Sequence, residues 1–180
     1  MEVALIISLA AAGIRLAVPL LFAALGGILS ERSGVLNIGL EGMLVAGTFG
    51  SYVGALVGQD PWVGVAGGIL AGALVGFLFA VLAVLLRGDQ VVLGTGVNII
   101  ALGLTAFFYR AMYRGGISQF FTGFKVYPIP GLSEIPVLGP VLFTQIPLVY
   151  VAYLLVPAVA FFLYRTTWGL KLRAAGEHPR

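Results

Sequence analysis

The side chains able to do chemistry are few, and they sit in three places. The first is Glu31-Arg32-Ser33-Gly34-Val35-Leu36-Asn37-Ile38-Gly39-Leu40-Glu41-Gly42, a polar patch between two apolar runs. Within it, Asn37 and Glu41 are one helical turn apart and so share a face of any helix that contains both. The second is Thr95, Asn98 and Thr105, whose spacing puts them roughly on one helical face. The third is Arg15, alone in the middle of the first apolar run. An ionisable group inside a membrane is costly and is kept for function or paired. Arg15 and Glu41 have opposite signs and form a candidate intramembrane ion pair wherever their depths match. The amides and hydroxyls suit hydrogen bonding, either between helices, which is the commoner use, or to a solute on its path.

Bond-making chemistry is poorly supplied. The chain has no cysteine and one histidine, His178, which excludes thiolate nucleophiles, disulfides and multi-histidine metal sites. Glu41, Asp60, Asp89 and His178 form no pair with metal-ligand spacing, and no Ser/His or paired-Asp arrangement falls in one span. There is no Gly-x-x-x-x-Gly-Lys-Ser/Thr phosphate loop, so no nucleotide hydrolysis is expected from this chain. An enzyme is the poorest of the functional classes.

The elements that must hold these residues are membrane helices. The 180 residues are 60% hydrophobic and 9% charged, with a mean hydropathy of +1.07, whereas a soluble domain is about a quarter charged and under half apolar. A chain this short cannot bury such an excess in its own core, so its solvent is a bilayer. The pattern predicts an all-α integral membrane protein whose polytopic region, 1–164, carries about five spans at 3–29, 35–57, 61–86, 91–109 and 146–164. The start, Met1-Glu2-Val3, lacks a basic segment and a cleavage pattern, and reads as a first span rather than a signal peptide. Gly34, Gly39 and Gly42 predict a break in the second span, with the patch as the mouth of a discontinuous helix. Small residues recur every fourth position at Ala46, Gly50, Gly54 and Gly58, and again from Gly64 through Gly68, Gly72, Gly76 to Ala80. These ladders predict a close antiparallel hairpin joined at Gln59-Asp60. Residues 110–145 hold Pro128, Pro130, Pro136 and Pro140 with Phe120, Phe121, Phe124 and Tyr127. That composition predicts a long external loop with room for a short interfacial helix and a partner's docking site. Pro19 and Pro157 are expected to kink their helices.

The tail, 165–180, is basic and juxtamembrane. With the tail inside and five alternating spans, Arg32, Arg87, Arg165, Lys171, Arg173 and Arg180 are cytoplasmic, against Arg110, Arg114 and Lys125 outside. The net charge of +3 then reflects membrane orientation rather than nucleic-acid binding.

Three blocks carry a resemblance. Glu31 through Met43 closely resembles a signature of bacterial ABC importer permeases in the branched-chain amino acid, simple sugar and nucleoside group, nearest the nucleoside (simple-sugar) branch. Gly88-Asp89-Gln90-Val91-Val92-Leu93-Gly94-Thr95-Gly96-Val97-Asn98 is similar to that branch's next block. Trp168-Gly169-Leu170-Lys171-Leu172-Arg173-Ala174-Ala175-Gly176-Glu177-His178-Pro179 resembles its cytoplasmic coupling segment. The resemblance implies a transport subunit in the bacterial cell membrane, with no cofactor of its own. ATP would be bound by a partner ATPase, a related second permease would complete a heterodimer, and an extracytoplasmic lipoprotein would deliver solute. Trp168, Gly169, Leu170, Arg173, Ala174, Gly176 and Glu177 would form the ATPase-coupling helix. Asn37, Glu41, Thr95, Asn98 and Thr105 would line the path of a nucleoside or simple sugar. Members of the group continue with several further spans, so a chain stopping at Arg180 is expected to be the first half of a permease. The competing readings are a branched-chain amino acid permease and a non-transporting membrane scaffold or assembly fragment.

Overall fold

The computed structural model describes residues 2–112 and 123–177. Expectations that rest on Arg114, Phe120, Phe121, His178, Pro179 or Arg180 lie outside the described residues. The described chain forms α1 (Glu2–Arg32), α2 (Leu40–Gly58), α3 (Pro61–Ala80) with a π-helical extension (Val81–Leu85), and α4 (Gln90–Met112). A two-stranded ribbon, β1 (Tyr127–Pro128) with β2 (Thr144–Gln145), encloses the short α5 (Leu138–Leu142), and α6 (Pro147–Arg165) and α7 (Thr167–Glu177) follow. α1, α2, α3 with its extension, α4 and α6 are long and apolar enough to cross a membrane. The fold is therefore the all-α membrane architecture read from the sequence, with a small antiparallel ribbon that composition did not reveal. α1 and α6 continue through Pro19 and Pro157.

The chain divides into two compact units. In the first, residues 1–29 and 124–177, α1 meets α6 through Ile14, Val18, Leu21 and Phe22 against Ile146, Val149 and Ala152. The Gln145 amide reaches the Ala11 carbonyl at 3.4 Å just ahead of these contacts. Because the contacts rise in number along both helices, α1 and α6 run parallel. α6 has 19 residues and rises about 28 Å, close to the thickness of a hydrocarbon core. α1 has 31 residues and rises about 46 Å, so its surplus lies at the N-terminal end, before Ala11.

The second unit is built on the α2–α3 hairpin. Gln59 closes α2 in the left-handed conformation (φ 50°), and its side chain bonds the Leu56 carbonyl. Asp60 then caps α3 through the Trp62 amide at 2.7 Å, with Pro61 at the first helical position, where its missing N–H costs nothing. The glycine ladders bring the two backbones together, with Gly47 and Gly67 joining the predicted positions. A Cβ on Gly67 would lie 2.5 Å from the Gly50 carbonyl oxygen, and one on Gly54 2.8 Å from that of Val63. Gly47 opposes Gly68, while Gly72 and Gly76 meet Met43 at ordinary contact distance.

Candidate functional site

The polar patch is a helix break whose exposed backbone is gripped by the next motif block. α1 ends at Arg32, and residues 33–39 are non-helical. α2 begins at Leu40, not at the expected Val35. Gly34 takes φ 84°, a conformation a side chain would resist, and Asn37 accepts from the Gly39 amide at 3.1 Å in a local turn that competes with helix. Asn37 therefore precedes the helix that carries Glu41, so the two do not share a helical face. Glu41 occupies the first turn of α2, where an acid complements the helix dipole, and its side chain is exposed.

The N-terminal cap at Gly39 supplies no side chain to α2. Asn98 supplies it from α4: its Oδ1 accepts from the Gly42 amide at 2.7 Å, while its Nδ2 donates to the Ile38 carbonyl at 3.1 Å. One amide thus bridges the last turn of the break and the first turn of the helix. Two residues earlier in the break, the Leu36 amide donates to Gln90 Oε1 at 2.7 Å. Asp89 caps α4 itself through the Val91 and Val92 amides at 2.9 and 3.0 Å. Glycines make this approach possible. A Cβ on Gly94 would fall 2.9 Å from the Gly39 nitrogen and from Ile38 Cβ, and one on Gly42 would fall 2.9 Å from Asn98 Oδ1.

Farther along the same pair of helices, Thr105 joins Leu44, Val45, Thr48, Phe49, Tyr52 and Tyr109 around an open, apolar groove. Phe49 and Phe108 stack at 6.4 Å between ring centres. The contacts from Gly39–Gly94 to Phe49–Phe108 rise together, so α2 and α4 are parallel. Gly94 and Ala101 are buried and Asn98 and Thr105 half-buried, which marks the stripe of α4 that faces α2. Thr95 lies off that stripe, exposed, with its hydroxyl donating to the Val91 carbonyl at 2.9 Å. The structure therefore brings Asn98 and Thr105 to α2 and leaves Thr95 outside. Arg15 is half-buried in the first unit and Glu41 belongs to the second, so their pairing rests on the sequence argument alone.

The tail residues fold as α7, set on the end of α6 by a tight corner. Thr166 is extended, and its hydroxyl accepts from the Gly169 amide at 3.0 Å while donating to the Phe162 carbonyl at 2.6 Å. This is a helix N-cap that also closes the preceding helix. Gly169 is buried, and a Cβ there would run into the Phe162 and Leu163 carbonyl oxygens. Gly169, Leu172, Arg173 and Gly176 form the covered side, with the Arg173 guanidinium 5.3 Å from the Tyr164 ring centre. Trp168, Leu170, Ala174 and Glu177 are exposed, and Lys171 stands over the Trp168 ring at 5.0 Å.

A family model described as branched-chain amino acid transport system / permease component matches residues 9–180. The chain belongs to this permease family. Guanosine ABC transporter permease protein NupQ of Bacillus subtilis is 41% identical over 174 residues, covering 91% of this chain and 54% of that protein. Nucleoside ABC transporter permease protein NupC of Lactococcus lactis is 38% identical over 169 residues, covering 90% of this chain and 53% of that one. A Haloferax volcanii protein provisionally named a glucose ABC transporter permease protein is 38% identical over 172 residues, covering 93% and 51%. The chain spans about half the length of the curated relatives it matches. No solved structure matches it. With five helices among the described residues long and apolar enough to cross a membrane, this permease-family chain is a multi-pass membrane protein.

Sequence reasoning passed over three residues that hold this permease-family chain together. Gln90 lies in the second motif block, where nothing in its type marks a role, yet it anchors Leu36. Thr166 is the N-cap of α7, and a threonine three residues before a glycine in a basic amphipathic tail was the available sign. Gln145, fully buried, ties the ribbon to α1 and α5. Its only sign in the sequence was a lone amide between an apolar loop end and Pro147.

Proposed function

We propose that the chain is the membrane-spanning permease part of an ABC importer and that its solute is a nucleoside. The observation that carries this reading is the 41% identity to a guanosine permease across 91% of the chain. ATP would be hydrolysed on a separate ATPase subunit, an extracytoplasmic lipoprotein would deliver solute, and a related second permease would pair with this one as a heterodimer. The exposed side of α7, with Trp168, Leu170, Ala174 and Glu177, is the surface offered to the ATPase. Gly169, Arg173 and Gly176 would serve the same coupling by holding α7 against α6. Asn37, Glu41, Thr95 and Thr105 are proposed to border the solute path, with Asn98 at its frame.

The test is uptake of labelled guanosine into vesicles holding the assembled importer, with ribose and leucine as competitors. Competition by unlabelled nucleosides and not by ribose or leucine supports the assignment. Competition by ribose would move the solute to simple sugars, and competition by leucine to branched-chain amino acids. Loss of ATPase association in Leu170→Asp and Ala174→Asp supports the docking surface, and unchanged association argues for a lipid-facing scaffold. The Arg15–Glu41 pair is tested by charge exchange. Arg15→Glu and Glu41→Arg are each expected to lower assembly, and the double exchange to recover it. No recovery in the double variant rejects the pairing.

A further inference from the structure

We infer that Asn98 and Gln90 are positioning residues that keep the α1–α2 break closed on α4 throughout the transport cycle, so that residues 36–42 and the first turns of α4 move as one body. The inference rests on the permease reading and deepens it, since it assigns a rigid element to the path. Asn98 spends both ends of its amide on backbone, at Gly42 and Ile38. A side chain bridging a carbonyl and an amide on either side of a helix start cannot turn to a passing solute without exposing both groups. Each released backbone group would need another donor or acceptor in place of the lost partner. Gln90 repeats the device at Leu36, about two turns of α4 and a few residues of the break away. Between these two anchors the chains are in backbone contact, with Gly94 against Gly39. An element meant to open and close would need a second set of partners for three backbone groups, the Leu36 and Gly42 amides and the Ile38 carbonyl. The described residues place no polar side chain other than Asn37, Gln90 and Asn98 on this segment's backbone. Asn37 accepts from the Gly39 amide in its own turn and donates to the Met43 sulfur at 3.6 Å, so it makes no bond to α4.

The absence of cysteine makes the test clean. Leu36→Cys with Gln90→Cys, joined by a short bifunctional thiol reagent, replaces the Gln90 hydrogen bond with a covalent bridge in the assembled importer. Joined importer is expected to take up guanosine at the rate of unmodified importer. Uptake that stops on joining and returns when a cleavable linker is cut overturns the inference, because the break must then open in each cycle. Asn98→Leu supplies an independent arm. It is expected to lower the melting temperature of the purified chain by about 3–6 °C and to reduce maximal uptake several-fold. The guanosine concentration at half-maximal uptake should stay unchanged, and the 36–90 bridge should restore both losses. A rise in half-saturation that differs between nucleosides, with maximal uptake kept, makes Asn98 a solute contact and overturns the assignment. Where Asn98→Leu does not assemble, the joined importer with Asn98 intact still decides. Stability and its rescue are read without solute, so a wrong solute assignment leaves that arm standing.

Discussion

Gln145 shows how much one polar side chain can organise in an apolar chain. It is completely buried, its Nε2 donates to the Val141 carbonyl at 2.6 Å and to the Ala11 carbonyl at 3.4 Å, and its own amide donates to the Tyr150 hydroxyl at 3.0 Å. Tyr150 in turn donates to the Tyr127 carbonyl at 2.7 Å, so ribbon, α1, α5 and α6 meet at one residue. Gln145→Leu would keep the volume and strip Nε2 from two carbonyls. The Val141 carbonyl, at the end of α5, would lose its donor at a cost of about 1–3 kcal/mol, while the Ala11 carbonyl stays in the α1 helix ladder. The variant should melt lower in detergent, and Tyr150→Phe, which removes the hydroxyl link alone, should lose less. Equal melting of Gln145→Leu and unaltered chain would remove Gln145 from this role. At this scale the sequence was least readable. An amide signals that a partner is needed, but which backbone group it meets is decided by elements far away in the chain, as with Asn98 and Ile38.

Elements were far more legible, because hydropathy, glycine spacing and caps act locally. Pro61 after Asp60 marked the start of α3, and the Asp60 cap stands there. The paired glycine ladders announced the α2–α3 hairpin, and its backbones do touch. What spacing could not fix was the register, since Gly47, Gly50 and Gly54 on one helix offer several alignments with Gly64, Gly67 and Gly68 on the other. The start of α2 was read too early because Val35 and Leu36 are apolar and continue the hydropathy of the span. Gly34 and the Asn37 turn override that preference. Packing gives a sharp expectation at the hairpin. Gly67→Leu would drive a side chain into the Gly50 backbone, at a cost of about 1–3 kcal/mol for overpacking that only separation of the helices relieves. Gly13→Leu, on an open face with nothing within 4 Å, is the matched control. Thermal melting of both in the same detergent should separate them clearly, and similar melting would mean that the hairpin is not close-packed.

For the whole molecule, the decisive quantity is how many times the chain crosses the bilayer and in which direction. A broken segment such as the polar patch can either turn back or count as a crossing, and the two cases give opposite parity. Residues 33–39 are non-helical, and seven extended residues reach at most about 25 Å, short of a roughly 30 Å core. The break therefore joins two spans and adds none. The helix directions agree in each unit taken by itself. α2 and α4 are parallel with α3 returning between them, and α1 and α6 are parallel with three spans between them in the chain. Alternate crossing requires both relations. The basic residues of the tail and of the α1 and α3 ends then choose the direction. Single cysteines in the cysteine-free chain test it with a membrane-impermeant maleimide on intact cells. Gln59→Cys and Lys125→Cys should label directly, and Arg87→Cys and Trp168→Cys only after permeabilisation. External labelling of Trp168→Cys would place α7 on the wrong side for any ATPase and would sink the coupling proposal. Labelling of Gln59→Cys and Arg87→Cys from the same side would show that α3 does not cross, whatever its hydropathy.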